Sequence, residues 1–119
     1  MLGAAPPAVA AQATPRTALV YQKIYGLTVN LFSQGRVDGQ FIVSLDLEAK
    51  ASDSDTIRGM QPKLRDAYNR NLVSFGETLV DPRRPLDLKR LEAVLQHTTD
   101  TILGQGKATA LLFSAVVAP

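Results

Sequence analysis

Cysteine is absent from this chain of 119 residues, and histidine occurs only once, as His97. Without cysteine, neither a disulfide framework nor a thiolate metal site can form. In a helical projection, His97 lies about half a turn away from the nearest row of apolar side chains. We therefore expect it to be a solvated surface residue rather than a metal ligand or a catalyst.

Net charge and long apolar runs are also scarce. The 13 lysines and arginines exceed the 11 aspartates and glutamates by only two, and the two signs alternate along most of the chain. A nucleic-acid-binding protein concentrates its cations, so this distribution argues against nucleic acid as a partner. No apolar run reaches the roughly 18 residues that a membrane-spanning helix requires. With 45% hydrophobic residues, a chain of this length forms one domain with a modest core.

Motifs for catalysis are missing as well. Asp46 and Glu48 share one side of a predicted strand, but acid–base catalysis by paired carboxylates requires burial, and this side is expected to be solvated. No GxSxG or SxxK motif surrounds the serines of the predicted elements, namely Ser33, Ser44, Ser74 and Ser114. We therefore predict a protein that is not an enzyme and that binds no cofactor or metal.

Residues 1–16 are rich in alanine and proline and contain the triplets Ala8-Val9-Ala10 and Ala11-Gln12-Ala13. Signal peptidase requires small residues at these alternate positions, so the segment resembles the tail of a secretory signal. A disordered Ala/Pro linker has the same composition, and this alternative stays open. The first interpretation, which we favour, places the protein in the bacterial periplasm, and both leave residues 17–119 as the folded domain.

The strands are predicted from alternation of apolar and polar residues. Residues 40–50 alternate most regularly, with Phe41, Val43, Leu45, Leu47 and Ala49 on one side. Residues 27–33 form a second, half-buried strand, and the Asp38-Gly39 pair predicts the turn between the two. Residues 18–25 are expected to be a separate short edge strand, because Gly26 interrupts the pattern.

Two helices are predicted from three-four spacing of apolar residues, over 54–75 and 87–103, with Gly76 ending the first. Pro62 either begins the main part of the first helix, after a short turn, or kinks one continuous helix. Their packing residues are expected to be Ile57, Leu64, Phe75, Leu91, Leu95 and Ile102.

The last residues, 107–119, are apolar and are predicted to be a strand buried on both faces and a candidate for the central position in the sheet. The predicted class is therefore α+β. A mainly antiparallel sheet of three to four strands carries two helices packed on one face, in the order β-β-α-α-β.

Five cations on the outer sides of the helices are the candidate protein-interaction residues: Arg58, Lys63, Arg65, Arg70 and Arg90. Charges on a helix surface more often serve only solvation, and that interpretation remains the alternative.

Several short segments follow one another along residues 27–118: Thr28–Leu31, Leu45–Glu48, Met60–Asp66, Ile102–Gly104, Leu111–Phe113 and Val116–Val117. This order resembles the FliL family of flagellar basal-body-associated proteins, whose helix carries a Met-Pro-x-[Ile/Leu]-Arg-Asp motif. In this chain Gln61 separates the methionine from the proline.

The resemblance implies a stomatin-like (SPFH-type) periplasmic domain that assembles as a ring around the flagellar stator and supports motility without catalysis. Its partners are then other copies of the chain and stator or motor proteins. Family members carry an N-terminal transmembrane helix, so inner-membrane association is also implied, although no such helix is present in these residues. A soluble periplasmic binding or scaffold protein on the same fold, unrelated to the flagellum, is the alternative.

Overall fold

The structure, a computed structural model, describes residues 17–33, 35–79 and 84–118. The interpretation of residues 1–16 as a signal remnant or a linker lies outside the described residues.

The sheet has three antiparallel strands in the order β1-β2-β3. Strand β1 spans Leu19–Ser33, β2 spans Arg36–Lys50 and β3 spans Ala108–Ala118. In the described chain β2 is therefore central, and β1 and β3 are the two edges.

The helices lie between β2 and β3 in the chain. A short 3-10 turn, Ala51–Asp53, leads into α1 (Ser54–Gly59), which is followed by α2 (Gln61–Leu79) and α3 (Leu88–Leu103). The Asp87 carboxylate caps α3 by accepting a hydrogen bond of 3.1 Å from the Arg90 backbone N–H. The predicted α+β class is confirmed, with the first predicted helix divided into α1 and α2.

Pro62 explains that division. It is the second residue of α2, where a backbone N–H has no helical partner, so the missing hydrogen costs little. The first of the two predicted arrangements is therefore correct. The Gln61 side chain fixes the junction, because its amide donates to the Gln22 Oε1 of β1 at 2.8 Å and the Gln22 amide donates to the Ser54 carbonyl at 2.8 Å.

The core lies between one face of the sheet and the helices. The period-two prediction for β2 is confirmed, because all five residues assigned to one side are buried. Of the predicted helix packing residues, Ile102 is partly buried and the others are buried: Ile57, Leu64, Phe75, Leu91 and Leu95. The opposite face of the sheet, called the open face below, has no helix against it in the described chain.

Two details of the hairpin differ from the sequence prediction. Strand β1 is continuous, because Gly26 (φ 74°) and Tyr25 form a bulge rather than a break, and the Gly26 N–H donates to the Ser44 hydroxyl at 3.0 Å. The chain reverses at Gly35 (φ 79°), so the Asp38-Gly39 pair lies inside β2, at an irregularity in the register.

Gly76 does not end the helix, which continues to Leu79. It is buried where α2 crosses β1, and a Cβ atom at this position would lie 3.1 Å from the Leu31 Cδ2. Close packing of helix on strand, rather than helix termination, therefore accounts for this glycine.

Strand β3 is at the edge of the sheet and not at its centre, which corrects the prediction of burial on both faces. Only its first residues, Ala108 and Ala110, are buried on the helix side. Most of the strand is accessible, and this exposure makes it the starting point for a functional site.

Candidate functional site

Strand β3 combines an uncharged sequence with exposed apolar side chains. None of the eleven residues of the strand is charged. On the open face, Leu111, Phe113 and Val116 are exposed by 38%, 64% and 50%. On the helix side, the side chains of three further residues are only partly buried: Leu112, Ala115 and Val117. Contiguous exposed apolar surface of this kind marks an interaction site more often than a solvated surface.

The backbone edge of β3 is covered at one end only. The Gln96 side-chain amide donates to the Ala108 carbonyl at 3.0 Å, and its Oε1 accepts from the Ala110 N–H at 2.8 Å. This pair of bonds imitates the contacts of a neighbouring strand. From Leu112 to Ala118, no described residue bonds to the outer edge of the backbone. The stretch therefore offers unpaired donors and acceptors next to apolar side chains.

The other edge strand, β1, is protected. It carries Lys23, whose ammonium lies 5.8 Å from the centre of the Tyr25 ring, and it contains the bulge at Gly26. The Arg65 guanidinium donates to the Tyr25 carbonyl at 3.2 Å. Charged side chains and bulges are the features by which natural sheets prevent edge pairing. These features protect β1 around residues 23–26. Strand β3 has an irregularity of its own at Phe113, where the register against β2 shifts, but it carries no charged side chain.

Tyrosines on the open face bond to two carboxylates of β2, Asp46 and Glu48. Tyr21 donates to Glu48 at 2.9 Å and Tyr25 donates to Asp46 at 3.0 Å. The hydrogen bond to Glu48 and its negative charge raise the pKa of Tyr21. Burial, followed by the hydrogen bond to Asp46, raises the pKa of Tyr25. Both phenols stay protonated donors at neutral pH, so this pattern stabilises the sheet surface and supplies no nucleophile.

The five predicted interaction residues do not form one cluster. Arg58 pairs with Asp55 on α1 at 2.8 Å, Lys63 is exposed on α2, and Arg65 is bound to the β1 backbone as described. The structure brings only Arg70 of α2 and Arg90 of α3 to a common feature, the groove between these two helices.

A polar layer that is only partly buried lies between the two helices beside that groove. The Tyr68 hydroxyl lies 2.5 Å from the Thr99 Oγ1, and the Asn71 amide donates to the Thr98 Oγ1 at 2.6 Å. Because the Thr99 hydroxyl donates its hydrogen to the Leu95 carbonyl, Tyr68 is the donor in the first pair. Burial raises the pKa of Tyr68 to about 12.

The raised pKa of Tyr68 predicts a loss of stability at high pH. Between pH 10 and 12 the phenol loses its proton in the unfolded chain but keeps it in the fold, so the free energy of unfolding falls as pH rises. A shift of this size corresponds to roughly 3 kcal/mol. In Tyr68→Phe this decrease should be absent. Urea unfolding of both proteins from pH 9 to pH 12 measures this difference. The other tyrosines and the lysines titrate in both proteins, so their contributions cancel in the comparison. Parallel plots of the free energy of unfolding against pH for the two proteins would contradict the prediction.

Comparison of the chain with protein-family models, curated proteins and solved structures found no match. Among the described residues, no group of three or more His, Asp or Glu side chains could hold a metal ion. No helix in the described chain is long and apolar enough to cross a bilayer. The function has to be inferred from the edge of β3 and the groove.

Proposed function

We propose that this chain is a non-enzymatic, FliL-like assembly module. It self-associates through the outer edge of β3 in the periplasm, and it acts at the flagellar basal body, where it supports stator function and motility. The observation that carries the assembly part is the uncharged outer half of β3, residues 112–118, to whose outer backbone edge no described residue bonds.

A second copy of the chain is the occupant that this edge fits best. An antiparallel pair of identical strands around a two-fold axis satisfies each free N–H and carbonyl with the same groups of its partner. Pairing a strand with itself also places each charge near its own copy, which is destabilising. Strand β3 has no charge and so avoids this repulsion. In such a pair, the open-face side chains of the two β3 strands lie side by side across the two-fold axis and form one apolar surface.

The flagellar part of the proposal is supported by the ordered resemblance over residues 27–118. The segment Met60–Asp66, one of the pieces of that resemblance, forms the junction between α1 and α2 and the first turns of α2. Its conformation is fixed by the amide of Gln61, the residue by which the chain differs from the family motif.

Two measurements test the two parts separately. Analytical ultracentrifugation of the protein over a range of concentrations should show a monomer–dimer equilibrium, and a monomer at all concentrations contradicts self-association. A deletion strain should swim more slowly in medium of raised viscosity and recover when the gene is restored. Normal swimming with intact dimers would favour the alternative, a soluble periplasmic scaffold or binding protein unrelated to the flagellum.

A further inference from the structure

The groove between α2 and α3 is a second surface, separate from β3. It consists of two adjoining hollows of about 450 Å³ each, which share Asn71, Ser74 and His97. The lining residues on α2 run from Ala67 to Thr78 and those on α3 from Arg90 to Ile102. At 1.5 Å per residue, each row is about 16–18 Å long.

The groove combines an apolar floor with cationic ends. Phe75 and Val94 contribute apolar surface at one end, where Arg90 also lies, and Arg70 lies at the other end. His97 lies between them. Hydroxyl groups complete the walls: Ser74, Thr78, Thr98 and Thr101. Among the described residues, no carboxylate lines either hollow.

The two arginines are available to a ligand. Arg90 forms no ion pair with a described residue. Arg70 has a partner, Asp66, at 3.5 Å on the same helix, but both side chains are about two-thirds exposed. An exposed pair of this kind contributes less than about 1 kcal/mol, so an incoming carboxylate can compete for Arg70.

We propose that this groove binds an acidic amphipathic helix of a partner protein. Three turns of helix match the length of the groove, and their apolar side chains reach Ala93 and Val94. Carboxylates flanking that apolar side reach Arg70 and Arg90, where bidentate pairing with guanidinium adds orientation to affinity. Charge complementarity therefore favours a partner helix with negative charge. This inference does not depend on self-association through β3.

The shape of the groove favours a protein segment over a small anion. A small-molecule site encloses most of its ligand. This groove is an open channel whose lining residues include exposed side chains of both helices, among them Asn71, Ser74 and His97. A helix lying along the channel buries its own apolar side there, which a free carboxylate cannot do.

Binding of synthetic peptides to the full chain tests the proposal. The probe is a labelled amphipathic helix of about 11–12 residues, the length of the groove, with leucines on one side and flanking glutamates. A matched peptide carries lysines in place of the glutamates. Fluorescence anisotropy should show saturable binding of the acidic peptide and binding at least about tenfold weaker for the basic one, a difference of about 1.4 kcal/mol. No binding, or equal binding of the two peptides, overturns the proposal.

Variants locate the site. Arg70→Glu and Arg90→Glu should each weaken binding of the acidic peptide by roughly tenfold, the effect of losing one charge-assisted pair. Glutamate in the first turn of α3 is compatible with the helix dipole, so Arg90→Glu should fold normally. Arg58→Glu and Lys63→Glu make the same charge change away from the groove and should leave affinity within about twofold.

Two outcomes contradict the proposal, one from the variant series and one from competition with small anions. Equal weakening by all four variants would mean that net charge, and not the groove, attracts the peptide. Full competition by free glutamate or citrate at the concentration of the peptide would identify a small-anion site. Circular dichroism and urea unfolding of every variant show whether a loss of binding reflects a loss of folding.

Discussion

Leu45→Ala is expected to lower the free energy of unfolding by about 3–4 kcal/mol, because it leaves a cavity in the centre of the core. Leu45 lies on the central strand and has no exposed surface. Its side chain belongs to the cluster that joins the sheet to the helices. Domains of this size have a total stability of about 5–15 kcal/mol, so the variant should lose a large fraction of it. Urea unfolding followed by circular dichroism measures the change.

Leu111→Ala is the matched control for this substitution. Leu111 lies on the opposite face of the same sheet and is 38% exposed, so removing its side chain should cost less than about 1 kcal/mol in the monomer. Similar losses at the two positions would show that the helices do not cover the face on which Leu45 lies. The protein concentration should be kept low, because association through β3 would add to the apparent stability.

The parts of the fold that were predictable from sequence depend on local periodicity. In β2 alternate side chains lie on opposite faces of the sheet. Apolar residues such as Phe41 and Leu45 therefore indicate the buried face, whether the strand is central or at an edge. The same holds for the helix stripes that include Leu64 and Leu95. Pro62 indicated a helix boundary because the restriction on its own backbone is local.

The parts that were mispredicted depend on contacts between distant residues. Gly26 was expected to break a strand, but the Ser44 hydroxyl across the sheet accepts its N–H and stabilises a bulge. Gly76 was expected to end a helix, but Leu31 packs against it. An apolar run such as residues 107–119 has the same composition in a central strand as at an edge. Which neighbours it has was not readable from the run itself.

The candidate surfaces were only partly visible in the sequence. Arg70 and Arg90 were chosen as helix-surface cations, but their meeting at one groove follows from the packing of α2 beside α3. Gln96 was not singled out, because a glutamine on a helix gives no sign that it pairs with the edge of a strand. The absence of charge in residues 108–118 was the available signal for an interface, and it was interpreted as burial instead.

Phe113→Lys combined with Val116→Lys should weaken self-association by roughly tenfold, because pairing then brings four lysines together on the open face and removes apolar contacts between the two strands. Both side chains project from the open face of β3. The proposed two-fold axis lies near Ala115, the middle of the stretch Leu112–Ala118 to whose outer edge no described residue bonds. It brings the two new lysines of one copy close to those of the second copy. Like charges opposite one another destabilise a strand pair further. Sedimentation equilibrium of the double variant should show a monomer where the parent protein is dimeric.

Leu19→Lys combined with Phe32→Lys is the matched control, because it places two lysines on the same open face but on the opposite edge strand. Leu19 and Phe32 are exposed by 55% and 62%, so the chemical change and the starting exposure are similar to those on β3. This variant should dimerise like the parent protein. If the β1 lysines weaken association as much as the β3 lysines, the contact is made by the whole open face and not by the edge of β3. The β1 variant should unfold within about 1 kcal/mol of the parent monomer, since neither side chain is buried. The β3 variant should lose about 0.5–1.5 kcal/mol more, because Phe113 stacks on the Tyr25 ring at a centroid distance of 5.0 Å.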